Sequence, residues 1–229
     1  MATPAIIPFP NIQPRFFEGF TSAEIKMIVS AAKQRRYLAN SVIVNQGHPS
    51  DYFFLLTNGR ARYFYLTPDG RKVILLWLPP GEVFGAAALL AEPAEYLVST
   101  EAVKHSSVLV WDRATIRALI VQYPRLVDNA MSIMFEYFVA YRAVHVSMTC
   151  HSAPKRLAQV LAHLATGMGQ RVHGGMELDV RNEELANEAN VTPSTASRLL
   201  REWQRQGILR KTRGKIVLLR PERLFLQEV

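Results

Sequence analysis

The period of the hydrophobic pattern changes along the chain, and this change constrains the fold more than any other feature of the sequence. Between residues 36 and 111, short apolar runs rich in β-branched and aromatic residues alternate with turn dipeptides. The runs cover residues 41–44, 52–56, 61–66, 72–78 and 107–111. Asn58-Gly59 and Asp69-Gly70 supply the positive φ angles that tight hairpin turns require. Many short strands at this spacing predict a closed or sandwich-like β architecture.

A helical period returns after Asp112, and residues 124–151 form one long predicted helix with two apolar stripes. The first stripe contains Leu126, Ala130, Ile133, Tyr137, Ala140 and Val144; the second contains Val127, Met131, Met134, Phe138, Tyr141 and Met148. A helix that is apolar over so wide an arc must bury two surfaces. We expect one stripe to pack on the β domain and the other on a second subunit. Burial of the whole helix inside one large domain is the alternative.

The composition excludes several classes of protein. The single cysteine, Cys150, rules out an internal disulfide and an iron–sulfur cluster held by four thiolates. The start of the chain lacks the pattern of a secretory signal, and its longest apolar stretches are far shorter than the roughly 20 residues of a membrane span. We therefore expect a cytoplasmic protein with no membrane partner. No phosphate loop, nucleophile elbow or pair of carboxylates at useful spacing indicates an enzyme.

A basic helical segment near the C-terminus predicts the function. Residues 181–206 read RNEELANEANVTPSTASRLLREWQRQ. Asn182 can cap a first helix, and Thr192 can cap a second that has Pro193 at its first position. The second helix has an apolar face of Ala196, Leu199, Leu200 and Trp203 and a polar face of Ser194, Ser197, Arg198, Arg201 and Arg205. Two short helices with a tight turn, the second amphipathic and basic, are typical of a helix-turn-helix.

Basic residues after these helices support the same interpretation. Residues 210–215 read RKTRGK and precede a short apolar run, as in the β-hairpin wing of a winged helix. Residues 151–229 hold 13 Lys or Arg against 8 Asp or Glu, in a chain of net charge +8. Arginines at this spacing also occur on ordinary solvated helix faces. With the turn before them and the wing after them, they favour a double-stranded DNA partner.

These residues carry a resemblance to a known family. The segment ELANEANVTPSTASRLLREWQRQGIL resembles the DNA-binding domain of the cyclic-AMP receptor protein/fumarate–nitrate regulator (CRP/FNR) family, and FFLLTNGRARYFYLTPDGRKVILLWLPPGEVFG resembles its β-roll. The resemblance covers about residues 20–220. It implies an α+β fold with an N-terminal β-roll like a cyclic nucleotide-binding domain (a double-stranded β-helix), a long dimerisation helix and a C-terminal winged helix-turn-helix. It also implies a homodimer that binds a two-fold symmetric operator and contacts RNA polymerase.

The resemblance suggests domain boundaries and DNA contacts. We expect an N-terminal arm over residues 1–20, a sensory β-roll over 21–123, the dimerisation helix over 124–151 and the DNA-binding domain over 152–229. Arg198 matches the arginine that reads a base edge, and Ser197 matches the serine before it in the fumarate–nitrate branch. Ser194 stands where the family usually has Glu, so the usual operator cannot be assumed. The remaining positions match phosphate contacts: Arg181, Asn182 and Thr192, with Arg201, Arg213 and Lys215 as weaker candidates.

The effector pocket departs from that of the cyclic-nucleotide binders. Those proteins have Gly-Glu at its start and Arg-Ser near its end; here Gly85 is followed by Ala86, and the expected Arg-Ser pair falls at Tyr96-Leu97. A buried phosphate without a cation is costly. We therefore expect that cyclic AMP is not the ligand, and the identity of any effector stays open. Tyr141 and Arg142 match positions that contact adenine; Arg142 can instead be an exposed ion-pair residue.

Other interpretations remain open at this point. His145, Cys150 and His151 can be imagined as haem or metal ligands or as a redox thiol, but their spacing matches no metal or haem motif. The first hypothesis is a dimeric regulator whose β-roll senses something other than a cyclic nucleotide. The second is a constitutive DNA binder with a vestigial pocket. The third is a ligand-binding module that controls a protein partner.

Overall fold

A computed structural model describes residues 14–212 and 214–225 of the chain. Most of the expected N-terminal arm, Arg213 and the Met148 side chain lie outside the described part. The helices are α1 (Ser22–Ser30), α2 (Arg113–Gln122), α3 (Arg125–Cys150), α4 (Ala153–Met168), α5 (Asn182–Glu188) and α6 (Pro193–Arg205). Short 3₁₀ helices cover Arg15–Phe17, Ala86–Leu89 and Pro221–Phe225.

Twelve strands accompany these helices in the described residues. Those before the long helix are β1 (Lys33–Tyr37), β2 (Val42–Val44), β3 (Tyr52–Asn58), β4 (Ala61–Leu66), β5 (Lys72–Leu78), β6 (Val83–Phe84), β7 (Ser99–Ala102) and β8 (Ser106–Asp112). Those after it are β9 (Gln170–Val172), β10 (Gly175–Asp179), β11 (Leu209–Thr212) and β12 (Lys215–Leu218). The predicted α+β class is confirmed.

The chain forms two compact units that divide between Val139 and Ala140, inside α3. The first unit is a β-roll of two four-stranded antiparallel sheets, ordered β1-β8-β3-β6 and β2-β7-β4-β5. Strand β3 is apolar from Tyr52 to Leu56 because both of its faces are buried there. Phe54 and Leu56 belong to the apolar cluster inside the roll, whereas Phe53 and Leu55 belong to the cluster that includes α1, α2 and α3.

The long helix packs on the roll by the first predicted stripe. Leu126, Ala130 and Ile133 are buried in the helix-side cluster, and Tyr137 packs against it. Met131 and Phe138 of the second stripe are 64% and 67% exposed. Met134 was expected in the second stripe, but its side chain packs against the helix-side cluster. Phe135, which belongs to neither predicted stripe, is 66% exposed. The prediction that one stripe packs on the β domain is confirmed from Leu126 to Tyr137, whereas Val144 at the end of that stripe is 41% exposed.

One predicted hairpin turn is wrong. Asp69-Gly70 does join the paired strands β4 and β5. Asn58-Gly59 lies between β3 and β4, which belong to different sheets. Gly59 has a φ of 93°, and an added Cβ there would overlap the His105 carbonyl oxygen. The dipeptide therefore forms a corner at which the chain crosses between the sheets of the roll.

The second unit combines the end of α3 with α4, α5, α6 and a sheet ordered β11-β12-β10-β9. Leu157, Leu161 and Leu164 of α4 are buried, as are Leu185 of α5 and Trp203 of α6. Strands β11 and β12 form the predicted hairpin wing. Among the described residues, no helix combines the length and the apolar character that a bilayer span requires.

Two glycine-to-alanine variants test the corner. Gly70 also has a positive φ, of 80°, but an added Cβ there meets nothing within 4 Å. Gly70→Ala should cost about 1 kcal/mol, the strain of a left-handed backbone alone. Gly59→Ala should cost roughly 3 kcal/mol or more, because the overlap with the neighbouring backbone is added to that strain. Urea unfolding followed by circular dichroism measures both free energies, and equal values would contradict the sheet-crossing corner.

Candidate nucleic-acid interface and effector pocket

Local capping fixes where helix α6 begins. The Thr192 hydroxyl accepts a hydrogen bond from the Thr195 backbone N–H at 3.1 Å, and Pro193 occupies the first turn. The Thr192 hydroxyl also lies 2.8 Å from the hydroxyls of Ser194 and Thr195. The predicted cap of α6 is confirmed, and it commits the Thr192 side chain to the helix start.

Burial fixes which face of α6 is outward. Ala196, Leu199, Leu200 and Trp203 are all between 0% and 4% exposed. The opposite face presents Ser194, Arg198, Arg201 and Arg205 to solvent, with Ser197 partly buried at its edge. Arg201 Nε donates to the Ser197 carbonyl at 3.2 Å, so part of its guanidinium follows the helix. Arg198 is therefore the cation that stands at the middle of the exposed face.

Helix α5 begins differently from our expectation. Asn182 is its first residue and Arg181 is the capping position, where the Glu184 carboxylate accepts the Arg181 backbone N–H at 2.8 Å. The Asn182 side chain does not cap the helix. Its Nδ2 donates instead to Ser197 Oγ at 3.0 Å, which joins α5 to the middle of α6.

An arginine that the sequence analysis overlooked holds the turn between α5 and α6. Arg156 of α4 donates from Nε to the Ala189 carbonyl at 2.9 Å and from Nη2 to the Asn190 carbonyl at 3.0 Å. Asn190 has a φ of 48°, a left-handed conformation that Asn tolerates better than most residues. The Asn in the turn was a sequence signal for its shape, whereas the partner 34 residues away was not.

A basic cleft of about 300 Å³ lies between the start of α5 and the wing. Its lining includes three cationic side chains and the Asn182 amide; the lining residues are Val180, Arg181, Asn182, Lys211, Thr212, Gly214 and Lys215. Lys215 Nζ lies 2.6 Å from Glu177 Oε1, and this hydrogen bond raises the pKa of Lys215. The structure thus brings Arg181, Asn182 and Lys215 together and adds Lys211 to them. A cleft with this charge suits a phosphate group.

Inside the β-roll, the predicted pocket start and end lie close together. Gly85 has a φ of 80°, and an added Cβ would come within 2.6 Å of the Tyr52 carbonyl oxygen and 3.4 Å of the Tyr96 ring. Ala86 follows as the first residue of the 3₁₀ helix. The Tyr96 hydroxyl donates to the Tyr52 carbonyl at 2.8 Å and accepts from the Tyr52 N–H at 3.0 Å. Burial raises the pKa of Tyr96 to about 12, so this phenol stays neutral.

Three of the predicted pocket residues are exposed, unlike the buried Tyr96; they are Leu97, Tyr141 and Arg142. The Leu97 side chain is 84% exposed, whereas Tyr96 is 6% exposed. The expectation that Leu97 lines the pocket with Tyr96 is therefore corrected. Tyr141 and Arg142 lie on the exposed surface of α3 within the second unit.

Tyr137 of α3, which was predicted only as a member of an apolar stripe, makes polar and ring contacts with the roll. Its hydroxyl donates to Glu82 Oε2 at 2.5 Å, and its ring meets the Tyr63 ring edge-on at 6.2 Å. Arg15 pairs with the other Glu82 oxygen at 3.0 Å. Burial raises the pKa of both tyrosines. Thr100 pairs with Tyr63 across strands and is fully buried, and its hydroxyl has no hydrogen-bond partner among the described residues.

The buried cation of strand β4 is already neutralised. Arg62 Nε lies 2.5 Å from Glu101 Oε1, and both residues are under 10% exposed. Lys72 also pairs with Glu101. Arg62 follows Ala61 and precedes Tyr63, which both pack in the roll interior, so alternation turns Arg62 to the other side of the strand. These contacts leave the Tyr96 region lined by aromatic rings and hydroxyls.

Of the histidine and cysteine candidates, His151 lies near side chains of α3 and α4, whereas His145 and Cys150 are exposed. His151 Nδ1 lies 3.2 Å from Gln159 Oε1 and 3.3 Å from Ser147 Oγ. His145 and Cys150 are exposed on α3. Within the described ranges, no group of three or more His, Cys, Asp or Glu side chains is placed to hold a metal ion.

Known protein families match both parts of the chain. A cyclic nucleotide-binding domain matches residues 34–123, and a Crp-like helix-turn-helix domain matches residues 155–225. The cyclic AMP receptor protein of Thermus thermophilus is 27% identical over 93% of this chain and 95% of its own length. The CRP-like cAMP-activated global transcriptional regulator of Mycobacterium tuberculosis is 20% identical over 89% of this chain and 91% of its own.

Solved structures share the fold. The c-di-GMP-responsive global regulator CLP of Xanthomonas campestris superposes with a TM-score of 0.77 at 18% identity, over 86% of this chain and 99% of that one. FixK2 of Bradyrhizobium japonicum gives a TM-score of 0.75 at 23% identity, over 86% of this chain and 98% of that one. The β-roll, long helix and winged helix-turn-helix thus recur together at low sequence identity.

Proposed function

Because the chain belongs to the CRP/FNR family of transcription regulators, we propose that it acts as a homodimer on a two-fold symmetric DNA operator. The family consists of regulators and not enzymes, and its helix-turn-helix domain binds DNA. The observation that carries the proposal is the exposed polar face of α6, whose other face is buried. In this proposal residues 21–123 form a sensory roll, residues 124–151 a dimerisation helix and residues 152–229 a DNA-binding domain.

In this proposal α6 lies in the major groove and Arg198 reads a base edge. A guanidinium can donate two parallel hydrogen bonds to guanine O6 and N7, a pattern that other base pairs do not offer. Ser194 is exposed one turn earlier on the same face. A hydroxyl donates or accepts with little preference, so Ser194 gives weaker discrimination than an acidic residue there would give.

Backbone phosphates occupy the basic cleft and the helix start. Arg181, Lys211 and Lys215 supply the charge in the cleft. Arg201 of α6 and Arg213 of the sequence between β11 and β12 are further candidate phosphate contacts. Thr192 contacts phosphate at the start of α6. Such contacts set the register of the protein on the duplex but do not identify bases. RNA polymerase is the further partner that the family implies.

The exposed stripe of α3 supports the homodimer. Met131, Phe135 and Phe138 are 64%, 66% and 67% exposed and follow each other at spacings of four and three residues. This spacing places them on one side of a helix. A row of large apolar side chains of this kind marks an interface, and a second copy of the same helix offers the matching row.

The effector of this proposal is not cyclic AMP. Two of the relatives are named for cyclic AMP, but this chain has Ala86 and Tyr96 where such proteins hold the ribose and the phosphate. Tyr96 is buried and hydrogen-bonded to the Tyr52 backbone, and a neutral phenol cannot neutralise a cyclic phosphate. Tyr141 and Arg142 remain candidate effector contacts. The aromatic packing around Tyr96 also favours a second candidate function, constitutive DNA binding with a vestigial pocket.

DNA binding is tested by its salt dependence and by one variant. With three cleft cations in each protomer, a dimer makes about six phosphate contacts, so affinity should fall roughly a thousandfold between about 50 and 200 mM salt. Arg198→Ala should weaken binding to the preferred duplex by about 5- to 150-fold for each half-site, because each protomer loses its own contact. Lys26→Ala, which removes the same charge from exposed α1, is the control and should bind as the parent does. Fluorescence anisotropy measures both; full affinity of Arg198→Ala would remove the assignment of base reading.

Dimerisation is tested by placing charge in the exposed stripe. The double variant Phe135→Glu/Phe138→Glu should sediment as a monomer near 25.9 kDa, because two carboxylates per helix cannot be buried unpaired. Val121→Glu changes an equally exposed apolar residue, 79% exposed on α2, and should stay dimeric. Analytical ultracentrifugation gives the masses. A dimeric stripe variant would show that this row is not the interface.

Ligand choice is tested by titration calorimetry with cyclic AMP and cyclic GMP. Neither should bind more tightly than about 1 mM, because desolvating the cyclic phosphate beside Tyr96 is uncompensated. Binding of duplex DNA by the same sample shows that the protein is folded. A micromolar dissociation constant for either nucleotide would contradict the proposal.

A further inference from the structure

The hydrogen bond between Asn182 and Ser197 determines what the middle of α6 can recognise. Asn182 Nδ2 donates to Ser197 Oγ at 3.0 Å, across 15 residues of sequence. The amide is therefore a donor to the hydroxyl, and it occupies one of the two acceptor positions on that oxygen. Ser197 is thus not a freely rotating hydroxyl, unlike a serine that projects alone from a helix.

The hydroxyl proton of Ser197 is still available. Among the residues that the structure describes, Ser197 Oγ has Asn182 as its hydrogen-bond partner, and no acceptor takes its proton. Arg201 bonds to the Ser197 carbonyl and leaves the hydroxyl untouched. A hydroxyl that already accepts a hydrogen bond is a better donor, because the two bonds polarise each other. Ser197 therefore presents a proton next to the exposed Arg198.

We propose that Asn182 is a positioning residue that sets the hydrogen-bond polarity of Ser197, so that α6 reads a base-edge acceptor at this position. This proposal rests on the proposed DNA-binding function. In the major groove the acceptors are guanine O6 and N7, adenine N7 and thymine O4, whereas the amines of cytosine and adenine are donors. The bases read by Ser197 are then those with an acceptor edge, and a cytosine amine at the same place is disfavoured.

Asn182 also joins this readout to the phosphate backbone. Its side chain lines the basic cleft together with Arg181, Lys211 and Lys215. The amide carries a second N–H and a carbonyl oxygen in addition to the N–H that Ser197 accepts. A phosphate in the cleft is within reach of Asn182 itself, whereas a base below Ser197 is linked to Asn182 through the Ser197 hydroxyl. Occupation of the cleft and the orientation of the Ser197 hydroxyl are coupled through that residue.

The test uses full-length protein and duplexes that it selects from a random pool. Each operator position is then changed in turn, and dissociation constants are measured at one salt concentration for Ser197→Ala, Asn182→Ala, the double variant and the parent. Ser197→Ala and Asn182→Ala should both lose about fivefold of discrimination at the same position in each half-site, the factor that one hydrogen bond gives. The double variant should lose no more than either single variant, because the two residues form one contact.

Two further variants separate positioning from charge and from folding. Lys211→Ala removes a cleft cation that has no contact with Ser197, and it should weaken all duplexes by one common factor. Asn182→Asp keeps the size of the side chain but replaces the donor by a carboxylate, which takes the Ser197 proton. It should abolish the preference for an acceptor base at the Ser197 position while the Arg198 position keeps its preference.

The outcomes distinguish this proposal from the proposed function. If Asn182→Ala and Asn182→Asp keep the base preference that Ser197→Ala loses, or if Ser197→Ala changes no position, the positioning role is overturned although DNA binding stands. If the parent protein selects no duplex at all, the proposed function itself fails, and this inference falls with it.

Discussion

The burial of one face of α6 is the constraint on which the DNA-binding unit depends. Trp203, Leu199 and Leu200 are removed from water almost completely, and at roughly 25 cal/mol per Å² of apolar surface this burial is worth several kcal/mol. Because a helix is rigid, fixing three side chains inside fixes the others outside. Arg198 and Ser194 are exposed for that reason and need no contact of their own. The exposed polar face of α6 is thus a consequence of the core beneath it.

Local signals in the sequence predicted much of the fold, whereas contacts between distant residues escaped it. The period of α6, its Thr192 cap and the stripe of α3 from Leu126 to Tyr137 are short-range properties, and the structure agrees with them; the second stripe of α3 was predicted with Met134 where Phe135 is exposed. The Asn58-Gly59 dipeptide was misinterpreted because it specifies a positive φ but not which strand comes next to which. Lys211 in the cleft, Arg156 on the turn and the Asn182–Ser197 pair depend on tertiary packing, and no spacing rule reveals them.

The β-roll keeps the architecture of a cyclic nucleotide-binding domain with different residues at two of the expected pocket positions. Gly85 still makes the close approach to the Tyr52 backbone that only a residue without a side chain permits. The neighbouring positions carry Ala86 and Tyr96, and the Tyr96 hydroxyl is satisfied by a backbone group. Sequence alone identified the missing charges. It could not show that Leu97 is exposed, because the exposure of a residue outside the strands depends on the tertiary packing around it.

The bridge from Arg156 to the turn carbonyls has a consequence for protein engineering. The angle between α5 and α6 is maintained by a side chain that comes from α4, outside the two helices usually regarded as the DNA-binding motif. A peptide or graft containing residues 181–206 alone would carry the exposed polar face of α6 without the Arg156 contacts to the turn. Transfer of α5 and α6 to another scaffold therefore requires α4 as well, because α4 carries Arg156.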